Sequence, residues 1–175
     1  ILDKAKQWLS PTFDTETQEE ITQLITSNAP DLADRFYKDM EFGTGGMRGI
    51  MGAGTNRVNK YTLGRATQGL SNYLLENVQK EQLKVVIAYD CRHNSKKFAK
   101  IVANVLSANN IKVFLFEDLR ATPELSFAVR HLDCDAGIVL TASHNPSEYT
   151  GYKVYWADGG HIVPPHDGGI INNVH

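Results

Sequence analysis

The two stretches Lys84-Val85-Val86-Ile87-Ala88-Tyr89 and Ile111-Lys112-Val113-Phe114-Leu115-Phe116 decide the fold. Each is a short apolar run of the kind that forms a buried strand. Between them, Ser95 is placed to cap a helix whose apolar face is carried by Phe98, Ile101, Val102, Val105 and Leu106. This order of a strand, a helix and a strand predicts a right-handed βαβ unit with parallel strands.

The same alternation continues toward the carboxyl terminus. Thr122 and Pro123 suit the cap and first turn of a helix that runs over 124–132, and the apolar run Ala136–Leu140 predicts the next strand. Lys153–Trp156 predicts a further short strand. Repeated β-then-α units favour helices on both sides of one sheet. We therefore expect an α/β protein, a three-layer α/β/α domain with a mixed, mainly parallel sheet.

Helical patterns precede this domain. The spacing Thr15-Glu16-Thr17-Gln18 is typical of a capping box, and Asn59 can cap a helix with an apolar stripe made of Leu63, Ala66, Leu70, Tyr73 and Leu74. We predict an N-terminal helical arm over 1–40 and the α/β/α domain over 41–164. After Pro164-Pro165, residues 165–175 are expected to start a truncated connection to a second domain.

Composition limits the classes of partner. The chain has 175 residues, with 18 Lys and Arg against 20 Asp and Glu, for a formal charge of −2. That balance gives no basic field for nucleic acid or an anionic membrane, and no apolar run approaches the roughly 20 residues of a membrane span. Cys91 and Cys134 lack any metal or disulfide spacing. We expect a cytoplasmic protein with free thiols that binds a small molecule.

Chemistry-bearing residues follow the Ala136–Leu140 strand in the stretch Thr141-Ala142-Ser143-His144-Asn145-Pro146. Ser143 should emerge at the carboxyl end of a strand, where open α/β sheets bind their ligands. No Gly-x-Ser-x-Gly elbow surrounds it, and the adjacent His144 diverges from it on extended backbone, so a hydrolase triad is not favoured. A serine that carries a phosphoryl group instead needs nearby cations, and His144, Lys153 and Arg48 are suitable.

Arg48 belongs to a glycine-rich segment. Residues 42–54 hold six glycines in thirteen positions, which indicates tight turns or a close approach of a ligand to the backbone. A guanidinium beside such a loop can bind phosphate, although Walker spacing is absent. Asp90 and Arg92 end a strand and favour a pair that shapes the loop. His161 and His166 are interpreted as loop residues, because no third metal ligand has a suitable spacing.

Three motifs resemble those of one known family, the α-D-phosphohexomutases. Thr141–Pro146 with Gly151–Lys153 resembles its phosphoserine signature, Phe42–Gly49 is similar to its glycine-arginine loop, and Asp90–Arg92 to its Asp-x-Arg motif. The arm before Phe42, with the run Asn56–Asn59, is similar to the branch that contains phosphoglucomutases and phosphopentomutases.

The resemblance implies a role for each matched residue. Ser143 would carry a phosphoryl group, donate it to a phosphorylated sugar, and present a phosphate oxygen to Mg²⁺. His144, Lys153 and Arg48 would stabilise the transferring group and assist proton transfer. Phosphate and substrate binding are assigned to Thr44, Gly45, Arg48, Asn145 and Lys153.

The resemblance also implies that much of the enzyme lies outside this chain. By this resemblance the enzyme would have four domains. The Asp-x-Asp-x-Asp-Arg metal loop that the second domain would supply does not occur in this sequence. We therefore expect the first, catalytic-serine domain of a phosphoglucomutase or phosphomannomutase, which moves a phosphoryl group between the sugar 1- and 6-positions. Alone it should be inactive. The alternatives are a phosphopentomutase and a non-catalytic phosphosugar-binding module.

Overall fold

The computed structural model describes residues 1–174, which form a five-stranded sheet covered by helices. The strands are β1 (Gly46–Ile50), β2 (Lys84–Tyr89), β3 (Lys112–Leu115), β4 (Ala136–Leu140) and β5 (Tyr149–Trp156). The helices are α1 (Leu2–Gln7), α2 (Thr15–Thr26), α3 (Leu32–Phe36), α4 (Lys60–Asn77), α5 (Ser95–Ala108), α6 (Thr122–His131) and α7 (His166–Val174).

The sheet is mixed, with the strand order β1-β5-β4-β2-β3. Strands β3, β2 and β4 are parallel, whereas β5 pairs antiparallel with both β4 and β1. Alternate residues of β2 enter two different cores: Val85 and Ile87 pack with α4 and α5, and Val86 and Ala88 pack with α6. Because both faces of the sheet are covered, the predicted three-layer α/β/α architecture is confirmed.

Two of the apolar runs gave accurate predictions, whereas β3 is one residue shorter at each end than the run Ile111–Phe116. Strands β2 and β4 begin and end at the predicted residues, and Asn59 caps α4 through hydrogen bonds from the backbone N–H groups of Tyr61 and Thr62. The prediction for β5 was too short, because the strand begins at Tyr149.

Three predicted caps were wrong by one residue. Asp14, not Thr15, caps α2, and Asn94, not Ser95, precedes α5. The N-cap of α6 is Ala121, so Thr122 is the first helical residue. In α5 the Ser95 hydroxyl donates to Asp90 Oδ1 at 2.7 Å.

Strand β1 was not predicted. The glycine run was interpreted as turns, yet residues 46–50 pair with β5 at the sheet edge. Glycine is a weak strand former, so this strand depends on its partner β5 for hydrogen bonds. The pairing aligns the glycine run with the strand that follows the Ser143 loop.

The arm contains α1, α2 and α3, which pack through a small core of their own. Trp8, Ile21 and Phe36 are buried together with Ala53 of the domain, and Tyr61 of α4 packs against them. The arm therefore contacts the domain through the region between β1 and α4.

Helix α7 packs on α4, where Val174 lies against Gly69 and Gly169 lies against Tyr73. The assignment of 165–175 to a connection, whose last residue lies outside the described residues, stays a prediction. Within residues 1–174, no helix has the length and hydropathy that a bilayer crossing requires. Cys134 is buried, Cys91 is exposed, and both are free thiols as expected.

Candidate phosphoryl-transfer site

The carboxyl ends of the neighbouring strands β2 and β4 lie side by side, and the Ser143 loop follows directly after β4. The Asp90 backbone N–H donates to the Leu140 carbonyl at 3.1 Å, which joins the two strand ends. Ser143 itself has a φ of +53°, in the left-handed region that only a few non-glycine residues adopt. This backbone turn leaves Ser143 exposed beyond the end of β4.

Lys153 is the side chain that contacts the Ser143 hydroxyl. Its Nζ donates to Ser143 Oγ at 2.9 Å, from a position on β5 opposite Val139 of β4. Burial lowers the pKa of Lys153 and the Arg48 charge lowers it further, whereas Asp90 acts in the opposite direction. An amine with a lowered pKa exchanges a proton more readily at neutral pH, which suits a group that serves a reacting oxygen.

Arg48 approaches the same loop from β1. Arg48 lies opposite Gly151, and Gly46 lies opposite Lys153, so both cationic residues stand on one face of the β1–β5 pair. The Arg48 Nη1 donates to Asn145 Oδ1 at 3.0 Å. A second cation therefore contacts the Ser143 loop.

The glycine turn that leads into β1 allows this close pairing. Gly43 and Gly46 exchange backbone hydrogen bonds of 2.8 and 3.0 Å. Gly46 has a φ of +131°, and a Cβ there would lie 1.9 Å from the Tyr152 carbonyl oxygen. At the tip of the turn, the Thr44 hydroxyl donates to Asp167 Oδ2 at 3.1 Å, which ties the turn to α7.

A cleft of about 630 Å³ opens between the glycine turn and the residues that follow β5. Its volume lies within the range of small-molecule sites. It is lined by Thr44, Gly45, Gly46, Met47, Arg48, Lys153, His161, Ile162 and Val163. Two cations beside exposed glycine backbone are typical of a phosphate-binding site.

The predicted site residues do not all meet. Ser143 contacts Lys153, and Arg48 contacts Asn145, while Thr44 and Gly45 lie across the cleft on the glycine turn. His144 is exposed beside Ser143, and in the described part of the chain its side chain makes no hydrogen bond.

His161 lines the cleft, although sequence reasoning gave it only a loop role. Its Nε2 lies 3.1 Å from the Tyr155 hydroxyl, and burial and then Lys153 lower its pKa. The sequence did contain a signal for the position of His161, because the turn Asp158-Gly159-Gly160 that precedes it returns the chain to β5. His166, by contrast, stacks on Trp156 with ring centroids 4.0 Å apart and is a packing residue.

Residues 1–174 do not form a complete metal site. No group of three or more His, Cys, Asp or Glu side chains in this range is arranged to hold a metal ion. Two of the side chains that contact Ser143, Lys153 and Arg92, are cations, whereas Mg²⁺ requires several oxygen ligands.

The range of the chain that holds these motifs matches a known protein family. The family model described as phosphoglucomutase/phosphomannomutase, alpha/beta/alpha domain I, matches residues 39–175. That range includes the glycine turn, Asp90–Arg92 and the Ser143 loop. It begins just after the helical arm.

Individual relatives agree with the family model. The chain is 41% identical over 172 residues to the phosphopentomutase of Mus musculus, which covers 94% of this chain and 28% of that protein. It is 48% identical over 123 residues to the phosphoglucomutase of Staphylococcus epidermidis, which covers 70% of this chain and 22% of that protein.

A solved structure from Thermus thermophilus, titled a "putative phosphomannomutase", is 36% identical. It superposes with a TM-score of 0.72 over 79% of this chain and 30% of its own chain. The chain thus spans less than a third of the length of each of these relatives.

Proposed function

The chain belongs to the phosphoglucomutase/phosphomannomutase family and matches its first α/β/α domain, and from this premise we propose that it is the phosphoserine domain of a phosphosugar mutase. The contact between Lys153 Nζ and Ser143 Oγ at 2.9 Å carries the proposal. It joins a potential phosphate carrier to a proton donor, with Arg48 on the same face of the sheet. Phosphoryl transfer depends mainly on such positioning and charge.

In the forward step, phosphoserine 143 transfers its phosphoryl group to a free hydroxyl of a phosphosugar. The bond from phosphorus to Ser143 Oγ breaks while a bond from phosphorus to the sugar oxygen forms. Lys153 is placed to give its proton to the departing Oγ, and Arg48 offsets negative charge on the transferring group. The sugar hydroxyl must give up its proton to a base, and we assign that role to His144.

The return step restores the enzyme. The sugar bisphosphate reorients, and the phosphoryl group first present on the substrate passes to Ser143 Oγ. That oxygen returns its proton to Lys153, and His144 gives the proton it took to the sugar oxygen from which the phosphoryl group departs, so no phosphate or proton is lost over the cycle. The cleft beside Arg48 and the glycine turn, which Thr44 and Gly45 line, would hold the sugar phosphate, with Asn145 bonded to Arg48.

Mg²⁺ and the rest of the enzyme belong to the same proposal. When bound, Mg²⁺ would neutralise charge on the phosphate of Ser143. Its carboxylate ligands are expected in a further domain, since the described residues offer no suitable cluster. The isolated 175-residue piece is therefore proposed to be inactive, and the cytoplasmic location stays a prediction.

A pentose phosphate is the second candidate substrate. The match to the mouse phosphopentomutase covers 94% of this chain, including most of the arm, whereas the match to the staphylococcal phosphoglucomutase covers 70%. Relative rates on ribose 1-phosphate and glucose 1-phosphate, measured with the longer enzyme that contains this domain, separate the two.

Substitution of Ser143 tests the proposed mechanism directly. In the longer enzyme with Mg²⁺, Ser143→Ala should abolish mutase turnover on both sugars, because the phosphate carrier is lost. The exposed loop residue Ser147 supplies a matched control, and Ser147→Ala should retain activity. Mass spectrometry should find one phosphate on Ser143 in the parent. Undiminished turnover by Ser143→Ala would refute the mechanism, and an unphosphorylated, inactive parent would favour the binding module.

A further inference from the structure

Arg92 follows β2, yet its side chain reaches the neighbouring Ser143 loop. Its Nη2 donates to the carbonyl oxygens of Ser143 at 2.7 Å and Asn145 at 2.6 Å. Its Nη1 donates to the carbonyl oxygens of Pro146 at 2.7 Å and Tyr149 at 3.1 Å. One guanidinium thus binds four backbone carbonyl groups that span the whole loop.

Arg92 is itself held in place. Its side chain is 14% exposed, and its Nε lies 3.5 Å from Asp90 Oδ2. Asp90 accepts hydrogen bonds from the Arg92 backbone N–H at 2.9 Å and the Ser95 hydroxyl at 2.7 Å. The guanidinium is therefore oriented by the end of β2 and the start of α5, two elements of the core.

The loop needs such a support. The positive φ of Ser143 is a strained conformation for a residue with a Cβ, and it persists only where the surroundings fix it. Three backbone N–H groups are bonded inside the loop: the Ser143 N–H donates to Thr141 Oγ1 at 3.1 Å, the Asn145 N–H to the Ala142 carbonyl at 3.1 Å, and the Tyr149 N–H to the Pro146 carbonyl at 3.0 Å. Hydrogen bonds from a charged donor are about twice as strong as neutral ones, so Arg92 supplies the main restraint.

We propose that Arg92 is the positioning residue of the phosphoryl-transfer site, a clamp that fixes the Ser143 loop so that Oγ meets Lys153. Both terminal nitrogens are occupied by carbonyl oxygens, so the guanidinium is not free to bind substrate phosphate. Lysine has no planar set of donors and cannot reproduce the four bonds. The catalytic part of this inference rests on the proposed function, whereas the clamp itself does not.

The test uses Arg92→Lys in the longer enzyme, with Arg65→Lys as the matched control. Arg65 also donates to a backbone carbonyl, that of Val174 at 2.8 Å, but lies on α4 away from the Ser143 loop. Amide hydrogen exchange at residues 143–149 should become about tenfold faster or more in Arg92→Lys and stay unchanged in Arg65→Lys. Mutase kcat should fall about 100-fold in Arg92→Lys, because a misplacement near 1 Å has that effect.

A KM within about threefold of the parent value is expected, since Arg92 does not touch substrate. Guanidinium ion added to Arg92→Ala should restore part of kcat, which a general loss of folding would not allow. Unchanged loop exchange, a kcat near that of the parent, or no recovery with guanidinium would each overturn the proposal. If the parent enzyme has no mutase activity, the proposed function fails while hydrogen exchange still decides the clamp.

Discussion

Side-chain packing stabilises the N-terminal arm, whereas contacts of the backbone stabilise the cleft. In the arm, side chains bind one another: Trp8 stacks on Phe13 with centroids 4.6 Å apart, and Tyr61 lies edge-on to both rings. In the cleft and the neighbouring Ser143 loop, contacts of the backbone supply the restraints, through the Gly46 turn and the loop carbonyl oxygens bound by Arg92.

This difference follows from what each region must leave free. A cleft that binds a charged ligand needs exposed cations, and those side chains cannot also pack in a core. Lys153 and Arg48 therefore stand on a framework whose stability comes from glycine geometry and carbonyl hydrogen bonds. The arm has no such requirement, so Trp8 and Phe36 are buried in its core. Substitutions in the two regions should accordingly separate activity from stability.

Lys153→Met in the longer enzyme should have the largest effect, because it acts on the chemical step itself. It removes the amine that contacts Ser143 Oγ, and loss of a positioned proton donor lowers kcat by about 100- to 10,000-fold. Stability should change by no more than about 0.5 kcal/mol, since burial and Arg48 already disfavour the Lys153 charge. Steady-state kinetics and thermal unfolding measure the two quantities.

Lys112→Met is the control for that experiment. Lys112 lies exposed on the edge strand β3, remote from Ser143, and its replacement should leave kcat unchanged. A Lys153→Met enzyme with normal kcat, or one that loses activity only because it unfolds, would contradict a chemical role for the amine.

Gly46→Ala tests the backbone framework of the cleft. The added Cβ would meet the Tyr152 carbonyl 1.9 Å away at a φ of +131°, and we expect a loss of about 3 kcal/mol of unfolding free energy. Gly64→Ala is matched, because nothing lies within 4 Å of its Cβ position on α4. That helical site should gain up to about 1 kcal/mol.

Urea denaturation of the chain compares the two glycine variants. If both substitutions changed the free energy of unfolding equally, the loss of a glycine in general, rather than the close approach of β1 and β5, would explain the change. A Gly46→Ala variant as stable as the parent would mean that β1 can shift away from β5 without loss.

The elements that sequence predicted best are those with a local signal. The apolar runs of β2 and β4 determine their own burial, so their bounds could be found without knowledge of the rest of the chain. Strand β1 has no such signal, because Gly46 and Gly49 give no alternation and the strand exists only through its pairing with β5. The arm was recognised as helical, but its capping residue was displaced by one position.

The site was predicted in part for the same reason. The inference that a phosphate on Ser143 needs cations such as Lys153 and Arg48 depends only on residue types and strand ends. The structure brings Ser143 and Lys153 into contact. The reach of Arg92 to four carbonyl groups depends on the positive φ of Ser143 and on the β2–β4 register, which a single sequence does not reveal. His161 likewise enters the cleft through a tertiary turn.

Asp14→Asn should have the smallest effect and applies to the arm. Burial alone would raise the Asp14 pKa, but hydrogen bonds from Lys60, Tyr61 and Thr17 lower it well below its ordinary value of 3.8. Asparagine keeps the helix cap, so the variant removes only the charge. We expect a loss of about 0.5–1 kcal/mol near neutral pH, in the range of a partly exposed ion pair.

The pH dependence gives this last prediction its sign. Because folding lowers the Asp14 pKa, the carboxylate stabilises the fold fully above 3.8 and progressively less as the pH falls below that value toward the folded pKa. The difference in unfolding free energy between parent and Asp14→Asn should therefore be constant from about pH 7 to 5 and shrink below pH 3.8. Asp3→Asn, on the exposed side of α1, supplies the matched control. A difference that persists undiminished in acid would assign the effect to packing around Tyr61 instead of charge, and the arm would then depend on its aromatic contacts alone.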